Sequence, residues 1–163
     1  LGMFLFFKIM TTQQKTRGSK FARLIFAGIL GTIAFNGVMY ADIAITGIPL
    51  DIPATMGSLA VGESEYAETV GHVIHFANGI GLSLLFGYVA LPISKKIIKL
   101  PVIVYAIVFA IVETVIAVWL VLLPILGAGI AGINIGPEVA VMTLARHVVF
   151  GAVMGLVLRG SSK

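Results

Sequence analysis

The sequence predicts an all-α protein, a bundle of four transmembrane helices. Hydrophobic residues make up 59% of the 163 residues and charged residues only 11%, and the mean hydropathy is +1.09. A water-soluble domain usually has about 25% charged residues, so these few polar side chains are too sparse to cover a water-exposed surface. The apolar residues also form four separate runs, each near the roughly 20 residues that cross the hydrocarbon core of a bilayer.

The four runs cover residues 24–48, 69–91, 101–123 and 138–158. Prolines mark several of their ends, because proline lacks an N–H group and is tolerated mainly in the first turn of a helix. Pro92 follows the second run, Pro101 opens the third and Pro124 closes it. Glu138 opens the fourth run, where the helix dipole favours an acidic side chain.

Basic residues predict the orientation of the spans. Outside the spans they all lie before the first, between the second and third, or after the fourth: Lys8, Lys15, Arg17, Lys20, Arg23, Lys95, Lys96, Lys99, Arg159 and Lys163. Segments rich in Lys and Arg stay in the cytoplasm, so both termini and the middle loop are expected inside and the two acidic loops outside. This placement assigns the net charge of +4 to the membrane, and nucleic acid is not expected as a partner.

Residues 1–23 are predicted to be a polar or interfacial segment that precedes the transmembrane domain, residues 24–163. The first ten residues, LGMFLFFKIM, are too few to cross a bilayer and lack the small-residue cleavage site of a signal peptide. We expect either a segment on the membrane surface or an upstream extension, with Met10 rather than Leu1 as the start.

The connection between the first two spans, GIPLDIPATMGSLAVGESEY, is long for a hairpin. Asp51 and Pro53 are typical of a helix start and predict a short interfacial helix over residues 54–59. This segment is expected to be either a lid over the outer end of the bundle or an ordinary surface loop.

Small and polar residues recur at four-residue spacing in every span, which lets helix backbones approach closely in lipid. They are Gly28, Thr32 and Asn36; Gly71, His75, Gly79, Ser83 and Gly87; Ala106, Ala110 and Thr114; and Thr143, His147, Gly151 and Gly155. The second and fourth spans share the pattern of a histidine followed by small residues. The chain is therefore either a plain bundle or two pseudo-symmetric helical hairpins.

Several chemistries are excluded by composition and context. The chain has no cysteine, which removes disulfides, thiolate metal sites and covalent haem attachment. Gly127, Gly129 and Gly132 spell G-x-G-x-x-G, but a transmembrane run precedes them instead of a strand, so we do not predict nucleotide binding. No hydrolase or metalloprotease motif is present, and the chain is expected not to be catalytic on its own.

Glu113 and Arg146 are the charged residues deepest in the spans. Glu113 lies roughly 18 Å from the inner boundary and Arg146 roughly 12 Å from the outer one, at 1.5 Å of rise per residue. In about 30 Å of hydrocarbon these depths coincide. An ion pair between them is predicted, because either charge alone is unfavourable in the bilayer core.

Other polar residues in the outer half form a candidate metal or haem site. His72, His75, His147 and Asp42 are its predicted ligands, and Asn36 and Asn78 complete the polar cluster. Imidazole suits copper, iron or zinc, and histidines from two helices can ligate haem. The alternative is that these histidines form hydrogen bonds between packed helices.

Three segments carry a resemblance to a known group. They are GxxxHFxxGI at residues 71–80, RHVVFGAVMGLVLRG at residues 146–160 and PLDIPATMGSLAVG at residues 49–62. With these motifs the chain resembles uncharacterised four-span inner-membrane proteins of prokaryotes, YagU-like in a broad sense. The resemblance implies a multi-pass protein of the cytoplasmic membrane and no established activity or site.

Three functions remain open. The first is a non-catalytic subunit or assembly factor of a larger membrane complex, such as a respiratory or copper monooxygenase complex, with lipid and other membrane subunits as partners. The second is metal or haem binding by the outer histidines. The third is passage of a small solute or protons, against which the apolar inner half weighs.

Overall fold

The computed structural model describes the backbone of residues 2–161 and the side chains of residues 18–160. The described backbone is helical and contains no strands, which confirms the predicted all-α class. The helices are α1 (Gly2–Thr46), α2 (Ile52–Val61), α3 (Ala67–Ile97), α4 (Val102–Ile125) and α5 (Glu138–Leu158). All except α2 contain a segment long and apolar enough to cross a membrane, so the chain is a multi-pass membrane protein.

Helices α1 and α5 form the centre of the bundle. Helix α3 packs against α1, α4 packs against α5, α2 packs against α3, and the inner parts of α3 and α4 meet each other. Neighbouring helices are antiparallel: Leu24 of α1 lies against Gly87 of α3, whereas Tyr40 reaches His72. The start of α1, the α3–α4 connection and the end of α5 therefore share one end of the bundle. We call it the inner end, following the predicted orientation.

The N-terminal segment is continuous with the first span. Helix α1 runs without a break from Gly2 to Thr46, and Gly18–Thr46 within it is long and apolar enough to cross a membrane. The side chains before Gly18 lie outside the described part of the chain. The surface location and the choice between Leu1 and Met10 as the start therefore stay predictions.

Glycines bring the helices into contact at two interfaces. A Cβ atom at Gly28 of α1 would lie 2.7 Å from the Ile80 Cα atom of α3. A Cβ atom at Gly151 of α5 would lie 2.7 Å from the Ala106 carbonyl oxygen of α4. Real Cβ atoms do not come so close, so glycine is required at both positions for this helix separation.

The two hairpins, α1 with α3 and α4 with α5, share part of a pattern. Gly79 and Gly151 each lie one turn inward of a histidine and pack against the preceding membrane helix. The α1 and α4 partners each have a threonine whose hydroxyl donates to a carbonyl one turn earlier: Thr32 at 2.8 Å and Thr114 at 2.7 Å. Helix α2 belongs to the first hairpin alone, so the pseudo-symmetry is local.

Prolines 92 and 124 do not end their helices as sharply as expected. Helix α3 continues through Pro92 to Ile97, six residues beyond the predicted end of the second span. A π-helical turn, Phe86–Ala90, directly precedes this proline, and a second, Thr114–Leu122, precedes Pro124. Proline removes one backbone hydrogen bond and crowds the preceding turn, and a wider turn there relieves the clash.

Helix α2 confirms the predicted outer helix and extends it to Ile52–Val61. The Asp51 carboxylate accepts a hydrogen bond from the Ala54 amide at 2.9 Å, which caps the helix. Helix α2 lies against α3 at crossed glycines. A Cβ atom at Gly57 would lie 1.7 Å from the Ala67 carbonyl oxygen, and one at Gly71 would lie 1.8 Å from that of Pro53.

Candidate functional site

Arg146 is completely buried in α5 and binds two other segments of the chain. Its Nε atom donates to Asp42 Oδ2 at 2.7 Å, and its Nη2 atom donates to Asp42 Oδ1 at 2.5 Å. Its Nη1 atom donates to the Leu50 carbonyl oxygen at 2.8 Å. The predicted ion pair of Arg146 with Glu113 is therefore wrong. The long arginine side chain extends to the carboxylate near the outer end of α1 and satisfies its charge there.

Glu113 lies beside His147 instead. The distance from Glu113 Oε2 to His147 Nε2 is 3.4 Å, and both side chains are largely buried. His147 Nδ1 lies 2.7 Å from the Thr143 carbonyl oxygen. A carbonyl oxygen only accepts, so Nδ1 carries a hydrogen and Nε2 faces the carboxyl group. The contact lacks hydrogen-bond geometry, so Glu113 Oε2 is buried without a hydrogen-bond partner among the described residues.

His75 of α3 contacts Phe35, the same phenylalanine that His147 contacts. Its ring packs edge-on against Phe35 of α1, with the ring centroids 4.9 Å apart, and the ring of His147 contacts Phe35 at the same distance. The residue is 7% exposed, and neither ring nitrogen has a hydrogen-bond partner among the described residues. Buried polar atoms are usually paired, so these nitrogens require an explanation.

The remaining predicted residues have different surroundings. His72 is half-buried near the outer end, with Nε2 3.3 Å from the Tyr40 hydroxyl of α1. Asn36 is buried, and its Oδ1 atom has no partner in the described part of the chain. Asn78 is exposed on α3. The predicted polar cluster is thus divided. His75, His147 and Asn36 are largely buried, whereas His72 and Asn78 lie nearer the surface.

The structure does not assemble the predicted metal site. Among the described residues, no group of three or more His, Asp or Glu side chains converges in a way that could hold a metal ion. Asp42 is occupied by Arg146, and His72 is directed to Tyr40. His75 and His147 are instead packed against the single ring of Phe35. The predicted ligands therefore do not converge on one point in the part of the chain that the structure describes.

Helices α3 and α4 meet at their inner halves. Phe86 of α3 packs against Phe109 of α4, with ring centroids 5.4 Å apart. Close contacts between the two helices lie at the π-helical turn that contains Phe86 and at Leu91–Ile97, and their outer halves have few. Further out on α4, Ile116 and Leu120 are 57% and 53% exposed. The inner half of the interface is thus closed by aromatic rings and the outer half is open.

Two structural residues could not be assigned from the sequence. Phe35 organises both histidines, but it is one apolar residue within an apolar run and carries no distinguishing signal. The Leu50 carbonyl oxygen binds Arg146 through the backbone, which any residue type could supply. Asp42 was predicted as a metal ligand of the outer half. Its position near the end of an apolar span could instead have indicated that it pairs with a buried arginine.

The comparison with protein families bears on this arrangement. Residues 19–162 match the sequence profile of DUF6789, described as a family of unknown function. The chain belongs to this family. The match covers all four apolar spans except Gly18, so the family corresponds to the whole four-helix bundle. No curated protein and no solved structure matches the chain.

Proposed function

We propose that this DUF6789 protein is a non-catalytic subunit or assembly factor that binds a transmembrane helix of another membrane protein along α3. The observation that carries the proposal is a shallow groove on the outer half of this helix. It has a volume of about 540 Å³ and is lined by one face of α3: Thr69, His72, Val73, Phe76, Ala77 and Ile80. The lining is mostly apolar, as a membrane-embedded contact requires.

Small residues continue this face inward. Ala77 and Gly81 are both exposed and lie four residues apart, on the same side of the helix. A Cβ atom at Gly81 would meet nothing within 4 Å. Glycine inside a helix costs roughly 0.5–1 kcal/mol relative to alanine. Since the fold itself makes no use of Gly81, its advantage lies in the close approach of a further helix, as small residues four apart allow.

The position of α3 in the bundle supports the same proposal. Only 22% of the most apolar window of α3 is buried, against 44% in α5. Helix α3 is therefore a flanking helix with a broad free surface. That surface carries Ala77 and Gly81 in place of the large aliphatic residues that pack well against lipid.

The wider context belongs to the proposal as well. A respiratory complex or a copper monooxygenase complex is the kind of host we expect, and the prokaryotic inner membrane is the expected location. The YagU-like resemblance of residues 49–62, 71–80 and 146–160 is consistent with that location.

Site-specific crosslinking tests the proposal. A photoreactive amino acid at Val73, which is 66% exposed in the groove, should give one discrete crosslinked product with a second integral membrane protein in native membranes. The variant Gly81→Leu should lose this product while its thermal unfolding is unchanged. Gly37→Leu is the matched control, because Gly37 is also exposed and has nothing within 4 Å of an added Cβ atom.

The opposite results are equally clear. Crosslinks to lipid alone would show that the groove faces the bilayer. An unchanged product in Gly81→Leu would place the partner elsewhere, and equal losses in Gly81→Leu and Gly37→Leu would reveal a general effect of added bulk.

A further inference from the structure

We propose that the outer space between α3 and α4 binds an uncharged, lipid-soluble molecule whose head group carries a hydroxyl. We call this space the outer gap. It is bordered by His75 on α3 and by Glu113, Ile116 and Leu120 on α4. It is separate from the α3 groove proposed for a partner helix, and this inference does not depend on that proposal.

Helical periodicity places these residues at the gap. Phe86 and Phe109 contact each other and so mark the facing sides of α3 and α4. Glu113 lies four residues beyond Phe109, one turn further outward on the same face of α4. His75 lies eleven residues before Phe86, three turns further outward on the same face of the antiparallel α3. Both polar side chains thus flank the region where the two helices stop packing against each other.

The gap combines apolar walls with a polar end. Ile116 and Leu120, which lie outward of Glu113 on α4, are more than half exposed. At the inner end, Phe86 and Phe109 close the space. Outward of this closure lie polar atoms without hydrogen-bond partners among the described residues: Glu113 Oε2, one turn beyond Phe109, and both ring nitrogens of His75, three turns beyond Phe86. An alkyl or isoprenoid tail suits the walls, and a hydrogen-bonding head group suits the polar end.

Charge balance determines the class of head group. Arg146 is already neutralised by Asp42. Glu113 and His147 are both largely buried, and burial in a membrane favours the uncharged form of each side chain. A charged ligand would therefore enter a neutral, low-dielectric site without a counter-charge, which is strongly unfavourable in a membrane. A neutral hydroxyl can donate to Glu113 or His75 and can also accept from the imidazole, so it satisfies the buried atoms without that cost.

The single tryptophan supplies a direct test. Trp119 is adjacent to Leu120 and is held by a 2.9 Å hydrogen bond from Nε1 to Thr143 Oγ1. A long-chain alkylphenol brominated on its tail should quench Trp119 fluorescence saturably in protein reconstituted into phospholipid nanodiscs. The matched alkylbenzene, which lacks only the hydroxyl, should bind about tenfold more weakly, as expected for one lost hydrogen bond.

Four variants locate the binding. Glu113→Met removes both carboxyl oxygens at similar side-chain length and should abolish the preference for the phenol, whereas Glu113→Gln should keep most of it. Ile116→Phe fills the gap and should prevent saturable binding of either probe. Ile111→Phe adds the same ring on another face of α4 and should bind like the unmodified protein.

The proposal is overturned by any of three results. These are equal quenching by the two probes, a preference for the phenol that persists in folded Glu113→Met, and a loss of binding in Ile111→Phe as large as that in Ile116→Phe. If Glu113→Met does not fold, the comparison of the two phenylalanine variants decides the question alone. Quenching that never saturates shows simple partition into the bilayer and also contradicts a site.

Discussion

Arg146 and Asp42 form a two-point ion pair that joins α5 to the outer end of α1. The two hydrogen bonds are 2.7 and 2.5 Å long, and the arginine side chain is fully buried. The same guanidinium binds the Leu50 carbonyl oxygen and so fixes the chain just before α2. One side chain therefore connects three parts of the outer half.

Loss of Asp42 should destabilise the protein much more than loss of Glu113. Asp42→Asn leaves the Arg146 charge uncompensated in a buried setting, which typically costs about 3–5 kcal/mol. Thermal unfolding in detergent and the yield of monodisperse protein measure the effect. Glu113→Gln is the control and should change stability far less, because Arg146 does not depend on it. Equal losses in the two variants would contradict the pairing.

The double variant Asp42→Asn with Arg146→Gln extends this test. It removes both charges, so part of the lost stability should return relative to Asp42→Asn alone. Simple addition of the two single losses would show that the side chains do not interact energetically.

Glycines inside and outside the bundle should respond in opposite ways to alanine. At Gly28 the added Cβ atom meets the backbone of α3, so Gly28→Ala should lower thermal stability by roughly 1–3 kcal/mol. At Gly37 nothing lies within 4 Å, so Gly37→Ala should raise stability by roughly 0.5–1 kcal/mol through helix propensity alone. A stabilising effect at Gly28 would mean that α1 and α3 are not in such close contact.

The spans were predictable because hydropathy and length are what the bilayer selects. The second span was expected from residue 69, and α3 begins at Ala67. The end of that span was misjudged, because Pro92 reads as a stop signal. The sequence contains no marker for the π-helical turn that allows the helix to continue through it.

The pairing of Arg146 was not predictable from depth. Rise per residue gives a position along the membrane normal but not the direction of a side chain around its helix. Glu113 and Arg146 do lie at similar backbone depth, yet Glu113 is directed to His147. The arginine side chain is long enough to reach Asp42 further out. The histidine cluster was likewise found by residue type, but its division around Phe35 depends on side-chain packing.

Helix α2 should detach from α3 when Gly71 is replaced by alanine. The added Cβ atom would lie 1.8 Å from the Pro53 carbonyl oxygen, so the two helices must separate. Hydrogen exchange measured by mass spectrometry should rise in Ile52–Val61, while the α4–α5 interface is unchanged. Gly81→Ala is the control: it lies on the same helix with nothing within 4 Å of the added Cβ atom, and it should leave α2 in place. Unchanged exchange in Gly71→Ala would show that the crossing is not close.

The histidines should differ in their effect on stability. His147→Gln disturbs the contacts with Phe35, Glu113 and the Thr143 carbonyl oxygen, so it should be more harmful than His72→Gln. His72 has one long contact near the surface, and single interhelical hydrogen bonds in bilayers average about 0.6 kcal/mol. Thermal unfolding of the two variants measures the difference.

Elemental analysis tests the alternative that the histidines bind a metal. If folded protein contains a metal that His75→Gln loses, the packing interpretation is wrong.

Topology can be tested directly because the chain has no cysteine. Single cysteines at Ser64, in the first outer connection, and at Ser94, near the Lys95–Lys96 pair, can be labelled with a membrane-impermeant maleimide in intact cells. The basic residues flanking the inner end predict that Ser64→Cys is labelled and Ser94→Cys is labelled only after the cells are opened. Ser64 lies beyond the end of α2, so its labelling does not require that helix to unfold. Labelling of Ser94→Cys in intact cells would invert the orientation. The buried Arg146–Asp42 pair would then lie in the cytoplasmic half of the membrane.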